Sequence, residues 1–76
     1  MEIANLTGVE VFKTNVSNGR QAAAVLGLLK KHFPDCKINF DLMDCDKILR
    51  VEGKTFSPEA IVTLVRGKGF ACEILE

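Results

Sequence analysis

The chain reads as an α+β domain with the element order strand, helix, strand, strand, helix, strand, and three observations predict it. Apolar residues alternate with polar ones in four short stretches and recur at helical spacing in two longer ones. Each helical stretch opens on a capping signal: Asn18 with Gln21 three residues on, and the run Ser57-Pro58-Glu59. Shifting the first half by 40 places lays Val11 on Val51, Val16 on Phe56, Ser17 on Ser57 and Val25 on Val65, so apolar positions and caps coincide. This is the order of the ferredoxin-like βαββαβ sandwich, a four-stranded antiparallel sheet with two helices on one face.

Met1 to Gly8 shows no clear period and is expected to be a flexible lead, although Ile3 and Leu6 could extend the first strand. Val9 and Val11 then alternate with Glu10 and Phe12, which predicts a strand with the two valines inward and Phe12 on the opposite face. The polar loop Thr14 to Asn18 follows. Asn18, or Ser17 in its place, caps a helix starting at about Gly19, with Ala22, Val25, Leu26, Leu29 and Phe33 as its buried stripe. Lys30 and Lys31 fall in the last turn, where cations complement the helix dipole, and Pro34 ends the helix.

Period two returns from Cys36 to Met43, with Ile38, Phe40 and Leu42 on one face and Lys37, Asn39 and Asp41 on the other. The polar turn Asp44-Cys45-Asp46-Lys47 is short, so the next strand, with Leu49 and Val51 inward and Gly53 at its end, completes a hairpin. Ser57 as cap, Pro58 at the first helical position and Glu59 in the first turn predict a second helix to about Lys68. Ile61, Leu64 and Val65 form its stripe and Gly69 supplies the left-handed residue after it. Phe70, Cys72 and Ile74 alternate along a closing strand.

Seventy-six residues make a single domain, 1–76, with no room for a second. Ten basic residues against ten acidic ones argue against a nucleic-acid binder, which needs a basic excess or stripe. No apolar run is long enough to span a membrane, and the N-terminus lacks the basic start and apolar core of a signal peptide, so a cytoplasmic location without membrane association is expected. Three cysteines, an odd number, then read as free thiols.

The fold would bring the loop before the first helix, the turn Asp44 to Lys47 and the Lys68-Gly69 loop to one end of the sheet, with His32 and Cys36 at the other. A shared site at the first end draws on Lys13 to Arg20, Lys68 and Cys45. The loop itself carries Thr14, Asn15, Val16, Ser17, Asn18 and Gly19, with no cysteine, histidine or carboxylate. Its contact-making residues are Asn15, Ser17 and Asn18, with Lys68 beside them.

The strand Val9-Glu10-Val11 running into a loop, the helix SPEAIVTLV and the turn Lys68-Gly69-Phe70 into a last strand resemble the heavy-metal-associated domains of copper chaperones and metal-transporting ATPases. The resemblance covers about Val9 to Leu75. In that family the strand leads into Gly-Met-x-Cys-x-x-Cys, whose thiolates bind Cu(I) or another soft ion. Here the resemblance puts Lys13 at the glycine, Thr14 at the methionine, Val16 at the first cysteine and Gly19 at the second. Neither valine nor glycine supplies a soft donor, so the family positions Thr14, Val16 and Gly19 hold no metal. Lys68 matches a lysine that offsets the thiolate charge in the copper chaperones; without thiolates it reads as a helix-terminal cation. The resemblance thus implies a divergent member acting as a protein-interaction or regulatory module related to metal transport.

An alternative is a carrier of Cu(I) or Zn(II) using a different thiol set, for which Met43 and Cys45 at the hairpin are the candidates. His32 and Cys36 have suitable donor types, but Pro34 between them breaks the helix that would align them. Cys72, between Phe70 and Ile74, reads as a small core hydrophobe. The Asp44 and Asp46 pair gives too few oxygens for a calcium loop. His32 has no nucleophile or carboxylate spaced to join it, both serines are explained as caps, and no phosphate loop is present, so no enzyme is expected. The remaining expectation is a contact with another protein or with a second copy through the open sheet face, at Phe12, or through a sheet edge.

Overall fold

The computed structural model describes residues 8–54 and 56–75. The elements follow the expected order: β1 (Gly8–Thr14), α1 (Gly19–His32), β2 (Lys37–Asp41), β3 (Ile48–Gly53), α2 (Pro58–Gly67) and β4 (Cys72–Leu75). The strands form one antiparallel sheet in the order β2-β3-β1-β4, the ferredoxin-like arrangement. The expected lead falls largely on residues 1–7, so Ile3 and Leu6 lie outside the described residues, while Gly8 already pairs with Gly53.

Both helices start where their caps place them. The Asn18 side chain accepts from the N–H of Gln21 at 2.9 Å, and the Gln21 side-chain Oε1 accepts in return from the N–H of Ser17 at 2.8 Å and from its hydroxyl at 3.0 Å. The returning bond reaches one residue further back than in the usual capping box, so Ser17 and Asn18 share the task. Ser57 caps α2 and Pro58 occupies its first turn. The C-terminal signals also act as expected: α2 ends at Gly67 with Lys68 as its cap, and Gly69 takes the left-handed backbone at φ +97°.

A single core lies between the sheet and the helices. Val25, Leu29, Ile61 and Val65 from the helices meet Phe12, Ile38, Leu49, Val51 and Cys72 from the strands, with Val16 from the loop among them. All these strand residues share one face, so both helices cover that face and no element among the described residues covers the other.

One expectation is overturned here. Phe12 is fully buried, and Val9 and Val11 take the open face. The register explains the reversal. Phe12 stands between Leu49 of β3 and Ile74 of β4, both on the helix side, whereas Val11 stands between Arg50 and Leu75. Apolar residues occupy both faces of β1, so alternation alone gives two equivalent readings, and burying the larger Phe removes more apolar surface from water. The 40-residue repeat breaks at the same place: Val11 and Val51 coincide in sequence but face opposite ways.

Strand β2 is shorter than its alternation. It stops at Asp41 because the Asp41 carboxylate accepts from the N–H of Met43 at 3.2 Å and turns the chain. Phe70 likewise lies just before β4, where its N–H reaches the carbonyl of Val65.

Candidate functional site

Three loops meet at the end of the sheet where β1 stops, and one buried residue organises them. Thr14 donates its hydroxyl to the carbonyl oxygen of Lys47 at 2.6 Å and accepts from the N–H of Val16 at 3.2 Å, while its own N–H donates to the carbonyl of Asp46 at 3.2 Å. The loop before α1 is thereby fastened to the hairpin turn. On the other side Asn15 accepts from the N–H of Ala71 at 2.8 Å, which fastens the same loop to the segment entering β4. The expected meeting of these loops at one end is therefore observed.

The side chains expected to make contacts are largely engaged within the domain. Asn15 bonds Ala71, Ser17 bonds Gln21, and Asn18 caps α1. Val16 is fully buried in the core, and Gly19 is exposed in the first turn of α1. Thr14 is buried too. Thr14 and Val16 thus serve loop closure and packing. Lys68 is exposed at the α2 C-cap, its N–H bonded to the carbonyls of Leu64 and Val65. A shallow hollow of about 230 Å³ lies beside the loop, lined chiefly by Lys13, Thr14, Asn15, Arg66 and Glu73; Arg66 donates to the carbonyl of Cys72 at 3.1 Å there.

The hairpin turn carries the other donors. Asp44, Cys45 and Asp46 each offer a ligand atom, all within 4.8 Å of one another. Internal bonds already engage both carboxylates. Asp44 accepts from the N–H of Asp46 at 2.8 Å, and Asp46 lies 3.8 Å from the Lys13 ammonium, an exposed pair of little energetic weight. Met43 is almost fully exposed on the same turn. Lys47 closes it in left-handed backbone at φ 48°, with its ammonium donating to the carbonyl of Leu42 at 3.0 Å.

The remaining thiols lie elsewhere. Cys72 is buried opposite Thr14, and burial, with Glu73 adding to it and Arg66 opposing, pushes its pKa up to about 11. Such a thiol stays protonated and inert. Cys36 sits at the far end against Gly53, its pKa also raised by burial and by Asp35. His32 is exposed at the end of α1 with its ring near Phe33.

The open sheet face is the surface that sequence reasoning misassigned. Val9, Val11, Ile48 and Leu75 lie on it among Lys13, Arg50, Glu52 and Glu73. No helix among the described residues is long and apolar enough to cross a membrane. No protein-family model matches the chain, and no curated protein matches it.

Proposed function

We infer that the chain is a divergent heavy-metal-associated domain that has given up ion transfer and acts by protein contact, as a docking or regulatory module in metal handling, without catalysing a reaction. One observation carries this reading: Val16, aligned with the family's first cysteine, is fully buried in the core. A soft ion needs thiolate or thioether donors, and the loop that would present them is closed by Thr14 and Asn15 onto its neighbours. The open face, with Val9, Val11, Ile48 and Leu75 between charged residues, is the contact surface.

Titration with Cu(I) and with Zn(II) under reducing conditions, against a competing chelator, tests the reading. No stoichiometric binding is expected. A 1:1 complex that survives Cys45→Ala and is lost when Lys13-to-Arg20 loop residues are changed would overturn it.

A second reading is favoured by the grouping of Asp44, Cys45 and Asp46. In it the domain carries Cu(I) or Zn(II) on Cys45 with the flanking aspartates or Met43. A 1:1 complex that disappears in Cys45→Ala is its signature, and the same titration separates the two.

A further inference from the structure

We propose that β2 is a self-association edge, at which two copies of this chain pair antiparallel about Asn39 and join their sheets into one. In the order β2-β3-β1-β4, β2 has a neighbour on one side only among the described residues, so the backbone groups of its outer edge can pair with another chain. Edges of this kind attract partners unless something blocks them, and a charged side chain is one such block. On β2 the charges are arranged the other way.

The strand reads Lys37-Ile38-Asn39-Phe40-Asp41. Placed antiparallel against a second copy with Asn39 opposite Asn39, it sets each Lys37 opposite an Asp41 and each Ile38 opposite a Phe40. Two ion pairs then form on the open face and two apolar pairs on the helix side, each favourable across strands. Only this register does so. Centred on Ile38, Lys37 meets Asn39; centred on Phe40, Asp41 meets Asn39, and neither charge finds its opposite. The other edge, β4, is a residue shorter, and centring it on Glu73 sets like charges face to face.

A second feature of the same edge fits the same occupant. An open hollow of about 570 Å³ runs along β2 beside the end of α1, lined by Lys30, Pro34, Cys36, Lys37, Ile38 and Asn39. Ile38 forms part of its wall, and the proposed register brings Phe40 of the second copy opposite Ile38. Phe40 is half-buried in the single chain, so pairing covers an aromatic ring that the fold leaves partly in water. Five residues on each side make a small contact, of the weak and transient class. The dimer therefore forms with rising concentration.

This inference goes beyond the reading above and does not depend on it, since metal titration leaves the pairing of β2 untouched and loss of the dimer leaves the open face intact. Sedimentation equilibrium from micromolar to millimolar protein tests it. The wild-type chain is expected to dimerise across that range. Lys37→Asp sets aspartate against aspartate at both ends of the register and weakens the dimer about tenfold or more, since two opposite-charge pairs become like-charge pairs. The double variant Lys37→Asp with Asp41→Lys restores the opposite pairs and the wild-type affinity. Both side chains are exposed, so the circular dichroism melt of Lys37→Asp should coincide with wild type, while the double variant, which also loses the Asp41 bond to the N–H of Met43, should melt slightly lower and stay folded. A monomer throughout the range, a dimer indifferent to Lys37→Asp, or a double variant as weak as the single one overturns the proposal.

Discussion

The hydroxyl of Thr14 donates to the carbonyl oxygen of Lys47 at 2.6 Å, so a single buried side chain at the end of β1 holds the hairpin turn 33 residues away. The Thr14 Oγ1 in turn accepts from the N–H of Val16. Both bonds vanish in Thr14→Val, which keeps the shape but strands a donor and an acceptor. The expected loss is about 1–3 kcal/mol in chemical denaturation, with Thr14→Ser losing much less because it keeps the hydroxyl. A Thr14→Val protein as stable as wild type would show that the two loops are held by other means.

At the opposite end Gly53 packs against Cys36. A Cβ at position 53 would come 2.5 Å from the Cys36 sulfur and 3.4 Å from its Cβ. Gly53→Ala therefore forces the sulfur, which lines an open hollow, to move, at a cost near the low end of overpacking, about 1 kcal/mol. Cys36→Ala removes the obstructing atom, so the double variant should regain most of that loss relative to Cys36→Ala alone. Additive effects in this double-mutant cycle would rule out the clash.

The reversed facing of β1 has an energetic signature. Phe12→Ala empties a fully buried site and should cost about 3–5 kcal/mol. Val11→Thr, on the open face, should cost about 1 kcal/mol or less. If the two costs come out in the opposite order, the valines and not Phe12 form the core.

The thiols should react in an order set by burial. Cys45 is exposed on the turn and should label first with a thiol reagent; Cys36 follows, and Cys72 labels only on unfolding. Cys72 also links stability to pH. Its folded pKa, about 11, lies above the ordinary 9.0, so between these values the native state holds a proton that the unfolded state has lost. Its stabilising contribution is complete below pH 9.0 and declines as pH rises toward about 11. Subtracting the stability profile of Cys72→Ala from that of wild type should isolate this decline, and a flat difference across the window contradicts the burial of the thiol.

Much of the fold is legible in the residues because its signals are local. The caps at Asn18 and Ser57, the stop at Gly69 and the stripe of α1 depend on neighbours within one or two helical turns. The extent of β2 is less so. Its apolar alternation continues to Leu42, but a carboxylate at Asp41 that bends the chain costs the strand its last residues. Among the site candidates, the absence of sulfur from the first loop is visible at once, whereas the engagement of Asn15 with Ala71 joins residues 56 positions apart and has no local signature.

The sequence by itself determined the order of the elements, where each helix begins and ends, and that the loop from Thr14 to Gly19 carries no sulfur. These follow from side-chain type and short-range spacing. Only the tertiary structure decided which face of β1 is buried, that Thr14 serves as a tie between loops, and that β2 lies at an edge of the sheet. Each of those depends on register between strands distant in the chain, and register is chosen by the burial of the whole core at once.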